Sequence, residues 1–493
     1  MPKFPQNIVW QTRIPDLLVW GFGLFCLISV WSAIISEVYV LAALPLLVLV
    51  VYVGIVDFRK LFYLLLMSLP VSTEILLPNG FGTDLPSEPL MIGLFLITIL
   101  FIIRPSERDT DNLLRHPISI LLLAHLAWIL VSTVCSNMIL VSVKFLLAKI
   151  WYLGVFYVLA SRIFRNPKEH FRFFWLVGIP LLLTVIVIMI RHAGYGFSFV
   201  GIHKVLHPFQ RNHVNYAAML TLFCPYLYFA WRRQLFYSLK WWFLLGMSLL
   251  FLVAIYLSFT RAAYVALLIA GGSYFVFKYR LIRPLIVAAV VGALIGLGYL
   301  VQHNKYLDFA PNYDRTVTHY EFDNLVEATY KMEDISTMER LYRWVAGLRM
   351  SPEEPWVGFG PGNFVNFYRG YTVTSFQTYV SDNPERSGIH SYFLMTLVEQ
   401  GIIGLLLFLL FSFYLLIAGE RIYHQTKDPL RKGVVMSVLL SLVVIDAFLI
   451  INDLIETDKV GPFFFMGAAL LVVIDQANQK LQSTKLQTKV DTK

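Results

Sequence analysis

The sequence predicts an all-α, polytopic membrane protein, and three observations carry that reading. Hydrophobic residues make up 58% of the 493, with 15% aromatics and a mean hydropathy of +0.66, more apolar surface than one soluble core can hide. Apolar runs near the membrane-crossing length of about 20 residues recur along the chain. Lys and Arg collect in alternate connections between those runs, the pattern left by a membrane that retains basic residues on one side.

Taken in order, the runs are 15–36, 38–56, 61–77, 89–103, 117–134, 140–160 and 171–190. A second set follows at 213–231, 241–258, 261–277, 284–301, 391–418, 433–451 and 460–475, so fourteen spans are expected, with twelve as the alternative count. All should be helical, because lipid leaves an open sheet edge unsatisfied. The first run lacks a small-residue cleavage site and reads as a retained anchor. Cys26, Cys135 and Cys224 lie in or beside apolar runs and define no disulfide framework.

Orientation follows from most of the 40 basic residues, among them Arg59, Lys60, Arg162, Arg165, Arg232, Arg233, Lys278, Arg280, Arg431 and Lys432. With these inside, the long connection between the eleventh and twelfth runs lies outside. The expected organisation is transmembrane helices over 1–301, an extracytoplasmic helical loop over 302–389, further transmembrane helices over 390–475 and a cytoplasmic tail over 476–493. The net charge of +9 belongs to this inside bias and does not point to nucleic acid.

Within the loop, 334–350 reads as an amphipathic helix, with a capping box at Ser336 and Glu339 and an apolar face of Ile335, Met338, Leu341, Val345 and Leu348. GFGPGNF at 358–364 permits tight turns and close backbone approach, without the spacing of a phosphate loop. His390 stands where the loop meets the twelfth run. An imidazole there is a candidate acid or base at a fixed depth, and a simple helix cap is the plainer alternative. Arg211 and Arg261 break the inside rule at the outer ends of two runs. They either reach lipid phosphates or converge on an anion, for which the planar guanidinium fork is suited.

His203, His207 and His213 lie without Cys or acid nearby, so no metal site is expected. Lys144, Lys149, Glu399 and Asp446 are charges inside runs, marking function or buried pairing. Glu399 follows His390 by nine residues, which on a straight helix turns it to the opposite face and suits a structural partner better than a catalytic one.

Several pieces together resemble one family. RN before an apolar run, SFTRAAYVAL at 258–267, ERLYRW with Arg340, PWVGFGPGNF at 355–364 and HSYFLMTLVEQG at 390–401 are similar to the O-antigen ligase and polymerase family of bacterial membrane glycosyltransferases. The chain departs from the family by Ser391, where Asn is common after the histidine. The resemblance implies a multi-pass inner-membrane enzyme with its site facing the periplasm. It would transfer a glycan from an undecaprenyl diphosphate carrier to an acceptor such as lipid A core, with membrane lipids as surroundings and with neither metal nor cofactor. It further implies His390 as general base, Arg211 and Arg261 as diphosphate ligands, Arg340 as a further substrate-binding residue, and inversion at the anomeric carbon. A polymerase, a protein O-oligosaccharyltransferase and a lipid-linked sugar transporter remain the alternatives. A transporter would more naturally show internal repeats, and none is visible.

Overall fold

Every expected span corresponds to a helix in the computed structural model, which describes residues 8–37, 41–42, 44–76, 82–103, 113–302, 335–372, 383 and 386–491. The first three helices are α1 (Ile8–Ile35), α2 (Leu44–Val56) and α3 (Phe58–Ser68), followed by α4 (Ser87–Ile103) and α5 (Pro117–Val134). Next comes α6 (Ile139–Leu153), continued by a π-helical turn (Gly154–Leu159) and α7 (Ala160–Phe164). The middle of the chain forms α8 (Pro167–Ala193), the short α9 (Phe199–Val205), α10 (His213–Arg232), α11 (Leu239–Tyr256), α12 (Arg261–Lys278) and α13 (Ile282–Val301). After α14 (Ile335–Met350) and the single turn α15 (Phe364–Phe367), the chain closes with α16 (Tyr392–Gln425), α17 (Pro429–Leu449) and α18 (Gly461–Asp491).

Seven of these segments are long and apolar enough to cross a membrane, and four shorter apolar helices accompany them. The molecule is a polytopic helical membrane protein. Its core lies along α10, α17 and α18, whose apolar stretches are enclosed almost all round. Leu285, Val287, Val291, Leu294 and Ile295 of α13 point outward, as lipid-facing residues of a peripheral span do.

One expectation needs correction. The run 61–77 is not one helix: α3 stops at Ser68 before Pro70, and Thr73–Leu76 (β1) pairs antiparallel with Gly82–Leu85 (β2) in a small hairpin. Pro70 cannot extend the helical ladder, and the β-branched Val71, Thr73 and Ile75 favour an extended chain. The C-terminal residues continue α18 to Asp491, with Asn478 Nδ2 donating to Thr426 Oγ1 (2.9 Å).

Of the intramembrane charges, Lys144 is exposed, while Lys149, Asp446 and Glu399 find partners within the protein. Lys149 pairs with Glu456, and Asp446 accepts from Ser412 Oγ at 3.1 Å. Glu399 is the most informative. Its carboxylate accepts from the Gly362 (2.8 Å) and Phe364 (3.1 Å) N–H groups, clamping GFGPGNF to α16. At Gly401 α16 breaks, with φ 70° and ψ −176°, and residues 355–360 fill the break. Phe359 N–H donates to Val398 O (3.0 Å), Gly360 N–H to Glu399 O (2.9 Å), and Ile402 N–H to Pro355 O (2.8 Å). From α5, Trp128 Nε1 donates to Gln400 O (2.8 Å) and Ser132 Oγ to Glu399 O (3.0 Å). Backbone groups released by a helix break at membrane depth must find partners within the protein, and here each of these does. A side chain at Gly401 would overlap the Trp356 carbonyl, so only glycine fits.

The helix expected over 334–350 exists as α14, but its buried face differs from the sequence reading. Tyr342, Arg343, Ala346 and Met350 face inward, whereas Leu348 is exposed and Leu341 and Val345 are half-buried. The reason is packing by contact rather than by hydrophobicity. Gly347 lets the helix backbone press against Ile389 and Val398 of the α16 approach, and that rotates Arg343 under cover. The side chains of Ile335, Ser336 and Met338, and with them the capping box, lie outside the described residues.

Candidate active site

His390 sits two residues before α16, in a left-handed conformation with φ 57°. A non-glycine residue there costs about 1–3 kcal/mol and persists only where its surroundings fix it. Ile389, fully buried between α14 and α16, anchors one side. On the other, Asn383 holds the preceding turn by accepting from Ser387 N–H (3.0 Å) and donating to Ser387 O (2.9 Å). Arg386 Nη2 reaches Asn366 Oδ1 (2.9 Å), tying this turn to the helix after GFGPGNF. His390 Nε2 meets Ser387 Oγ at 3.0 Å, while Nδ1 is buried without a hydrogen-bond partner.

The charges around His390 come from α14. Burial first, then the guanidinium groups of Arg343 and Arg340, push the imidazole down from 6.5 to about 3, so it is neutral at physiological pH. Arg340 also faces His213, as does Arg261. His213 and Arg261 are the first residues of α10 and α12, and Thr260 Oγ1 donates to His213 O (3.3 Å), bringing the two helix starts together. The His203 ring packs on His213 at 4.5 Å between centroids, and Phe199 wedges between them and Phe259. Two helix N-termini thus add their partial positive charge to that of Arg261 and Arg340, making this end of the site favourable for an anion.

Arg211 takes another position. Its Nε lies 3.6 Å from Glu74 Oε2 of the hairpin, with both side chains well exposed. Between Arg211 and the histidine lies Asp453, packed under Gly388, where any side chain would strike its carboxylate. Burial pushes the Asp453 carboxyl up and Glu456 adds to this, while Arg211 and Arg343 pull it back. These pairwise approaches link Arg211 and Arg343 to Asp453, Arg343 and Arg340 to His390, and Arg340 and Arg261 to His213. Of the expected site residues, the structure joins His390, Arg340 and Arg261 through their neighbours, while the Arg211 side chain turns to Glu74.

In the sequence Arg343 reads only as one of the outward loop cations and is not placed beside His390, and Asp453 is not among the candidates. Arg343 could have been found, since it stands three residues after Arg340 and so shares a helix face with it. Asp453, more than sixty positions from His390 in the chain, gave no local signal.

Helical architecture and site together define a polytopic membrane protein with a neutral histidine among arginines at the mouths of its helices. Over residues 246–409 the chain matches the family model described as O-antigen ligase. His390, Arg261, Arg340 and Arg343 fall within the matched segment, and Arg211 precedes it. No curated protein matches the chain.

Proposed function

We propose that the protein is an O-antigen ligase-like transferase that moves a glycan from undecaprenyl diphosphate to an acceptor hydroxyl, such as one on lipid A core, at the periplasmic face of the inner membrane. The observation that carries this reading is the neutral His390, whose Nδ1 is buried and unpartnered beside the charges of Arg343 and Arg340. The reaction needs an activated acceptor oxygen and stabilisation of charge developing on the leaving diphosphate. Arg261, at the start of α12, and Arg340, on α14, hold the diphosphate, and Arg343 faces the base. Arg211 contributes on the acceptor side.

In the transfer step the acceptor oxygen attacks the anomeric carbon as its proton passes to His390. The carbon–oxygen bond to the diphosphate breaks, its electron pair leaves on the diphosphate, and the configuration inverts. A pKa near 3 makes a weak base. The bound diphosphate corrects this, because its negative charge offsets the two guanidinium groups and raises the imidazole toward the range where general bases work. His390→Ala should keep donor binding and lose transfer, by a factor typical of general-base catalysis, about 10² to 10⁴. Arg261→Ala and Arg340→Ala should lose donor affinity, with Lys restoring only part. Transfer at the wild-type rate by His390→Ala ends the base assignment. Supplying a lipid-linked single repeat with and without lipid A core separates ligase from polymerase: one product that requires the acceptor supports the ligase, and a ladder without acceptor supports the polymerase.

A further inference from the structure

Outside the matched segment, a cavity of about 270 Å³ opens between the β1–β2 hairpin, α6 with its π-helical turn, the 207–211 connection and the turn 456–459. Its wall combines two buried, unpartnered polar groups, on Gln210 and Trp151, with the half-buried Asp84 carboxyl. Gln210 is 1% exposed, its Oε1 has no partner, and its Nε2 meets only Met219 Sδ at 3.8 Å. Trp151 Nε1 is buried without an acceptor. The Asp84 carboxyl makes no hydrogen bond among the described residues. Buried polar atoms left without partners cost roughly 1–3 kcal/mol each, and their convergence on one cavity points to a ligand that satisfies them.

The remaining charges on the wall are already committed. Arg211 faces Glu74, and Lys459 is enclosed by Leu69 O (2.8 Å), Ser72 O (2.7 Å) and Asp458 (3.4 Å). Glu456 pairs with Lys149, and Glu88 accepts from Thr83 Oγ1 (2.6 Å) and Asp84 N–H (3.2 Å). Burial and the carboxylates of Asp458, Glu74 and Glu88 push Asp84 up to about 7 against the pull of Lys459, so it is poised to donate as well as accept. No cation on this wall is left over for an acidic ligand. The volume is at the low end for ligand pockets, about 300 Å³ upward, and with walls this polar it suits a sugar ring rather than an isoprenoid chain. Trp151 and Tyr152 supply aromatic surface of the kind that packs on the apolar face of a pyranose. The adjoining π-helical turn, which places Phe156 on the wall, is a departure from α-helix that recurs at functional sites.

We propose that this cavity is the acceptor subsite, holding one neutral or amine-bearing sugar ring through Asp84, Gln210 and Trp151 and rejecting acidic sugars. Its role as an acceptor site rests on the transferase reading above. The placement supports it: Arg211 stands on the cavity wall, Asp453 senses both Arg211 and Arg343, and Arg343 faces His390, so the cavity is linked to the base through Asp453. The test is saturation-transfer NMR on the full-length chain in lipid nanodiscs, without donor, using maltotriose, chitosan trimer and trigalacturonate as probes. Maltotriose or the chitosan trimer should bind while trigalacturonate does not. Asp84→Asn with Gln210→Ala should weaken binding tenfold or more, and Ala148→Phe, which fills the cavity, should abolish it. If Ala148→Phe fails to fold, the double variant decides. Absence of binding by all three probes, equal binding of trigalacturonate, or unchanged binding in the double variant overturns the proposal. His390→Ala should bind these sugars as the wild type does, so loss of transfer and loss of the subsite are read separately.

Discussion

His390 is held against two penalties, a left-handed backbone and burial beside positive charge, and both have measurable consequences. Because its pKa is lowered on folding, the unfolded chain binds more protons between about pH 3 and 6.5, so stability contributed at this site is present above 6.5 and is lost as pH falls toward 3. His390→Asn should flatten that acid loss, as seen by thermal unfolding across pH 4–7. For catalysis, kcat/KM reports the free enzyme and should show no acid limb from this group between pH 5 and 8. Arg343→Met removes a facing charge at similar volume, which raises the imidazole pKa and should move an acid limb up into the measurable range. A profile identical to wild type would take Arg343 out of the electrostatics of the base. His390 and Arg261 stand out in the sequence because each breaks a local rule, a titratable or basic residue at the outer mouth of a span, whereas Arg340 entered through the resemblance. Arg343 was obscured by an apolar-face reading that placed Leu341, Val345 and Leu348 inside. Gly347, which carries no hydrophobicity in such a count, decides the packing instead.

At the scale of elements, the loop and α16 are joined by the Glu399 clamp and the Gly401 break. Glu399→Ala leaves the Gly362 and Phe364 N–H groups without their acceptor, at about 1–3 kcal/mol each, and should lower the melting temperature and detach 355–364. Hydrogen exchange over that segment checks it: protection equal to wild type would remove the clamp. Gly401→Ala should be more damaging than Gly292→Ala in α13, where a methyl meets open space. The sequence already set Glu399 apart from His390 by its nine-residue offset. What GFGPGNF approaches was hidden, because its glycines signal closeness without naming the partner, and the partner lies nearly forty residues on. The hairpin at 73–85 was missed for a related reason. Its apolar Ile75, Leu76 and Leu77 extend the run before them, and hydropathy summed over a window cannot see Pro70 as a stop.

For the whole molecule, every expected span but 61–77 coincides with helix over most of its length, since long apolar runs are the strongest signal a chain can carry. Which way the bundle faces rests on the basic-residue asymmetry alone. A cysteine at Leu348, exposed on α14, in a background lacking Cys26, Cys135 and Cys224, should react with an impermeant thiol reagent on intact spheroplasts. Labelling only after the inner membrane is opened would reverse the orientation and the mechanism built on it. The buried polar joints between distant parts, such as His116 with Asp475 or Lys459 with the end of α3, had no signal in local pattern, because each partner is a single polar residue hundreds of positions from the other.

The way 355–364 is fastened into the break of α16 bears on how such a chain can diversify. The joint is made largely of main-chain donors and acceptors, with the Glu399 carboxylate and a few α5 side chains as the exceptions. Besides its glycines, the seam reads few side chains on the loop, chiefly the buried Asn363, Phe359 and Phe364. Mutation is free to rewrite the loop's outward surface while the catalytic half-helix stays seated, as an interchangeable tool is changed without touching the chuck. The matched segment runs through this seam and stops at 409, whereas the acidic cavity lies wholly outside it. On the proposed reading, the chemistry and the choice of acceptor are written in separate parts of the chain, and they can be exchanged and engineered independently.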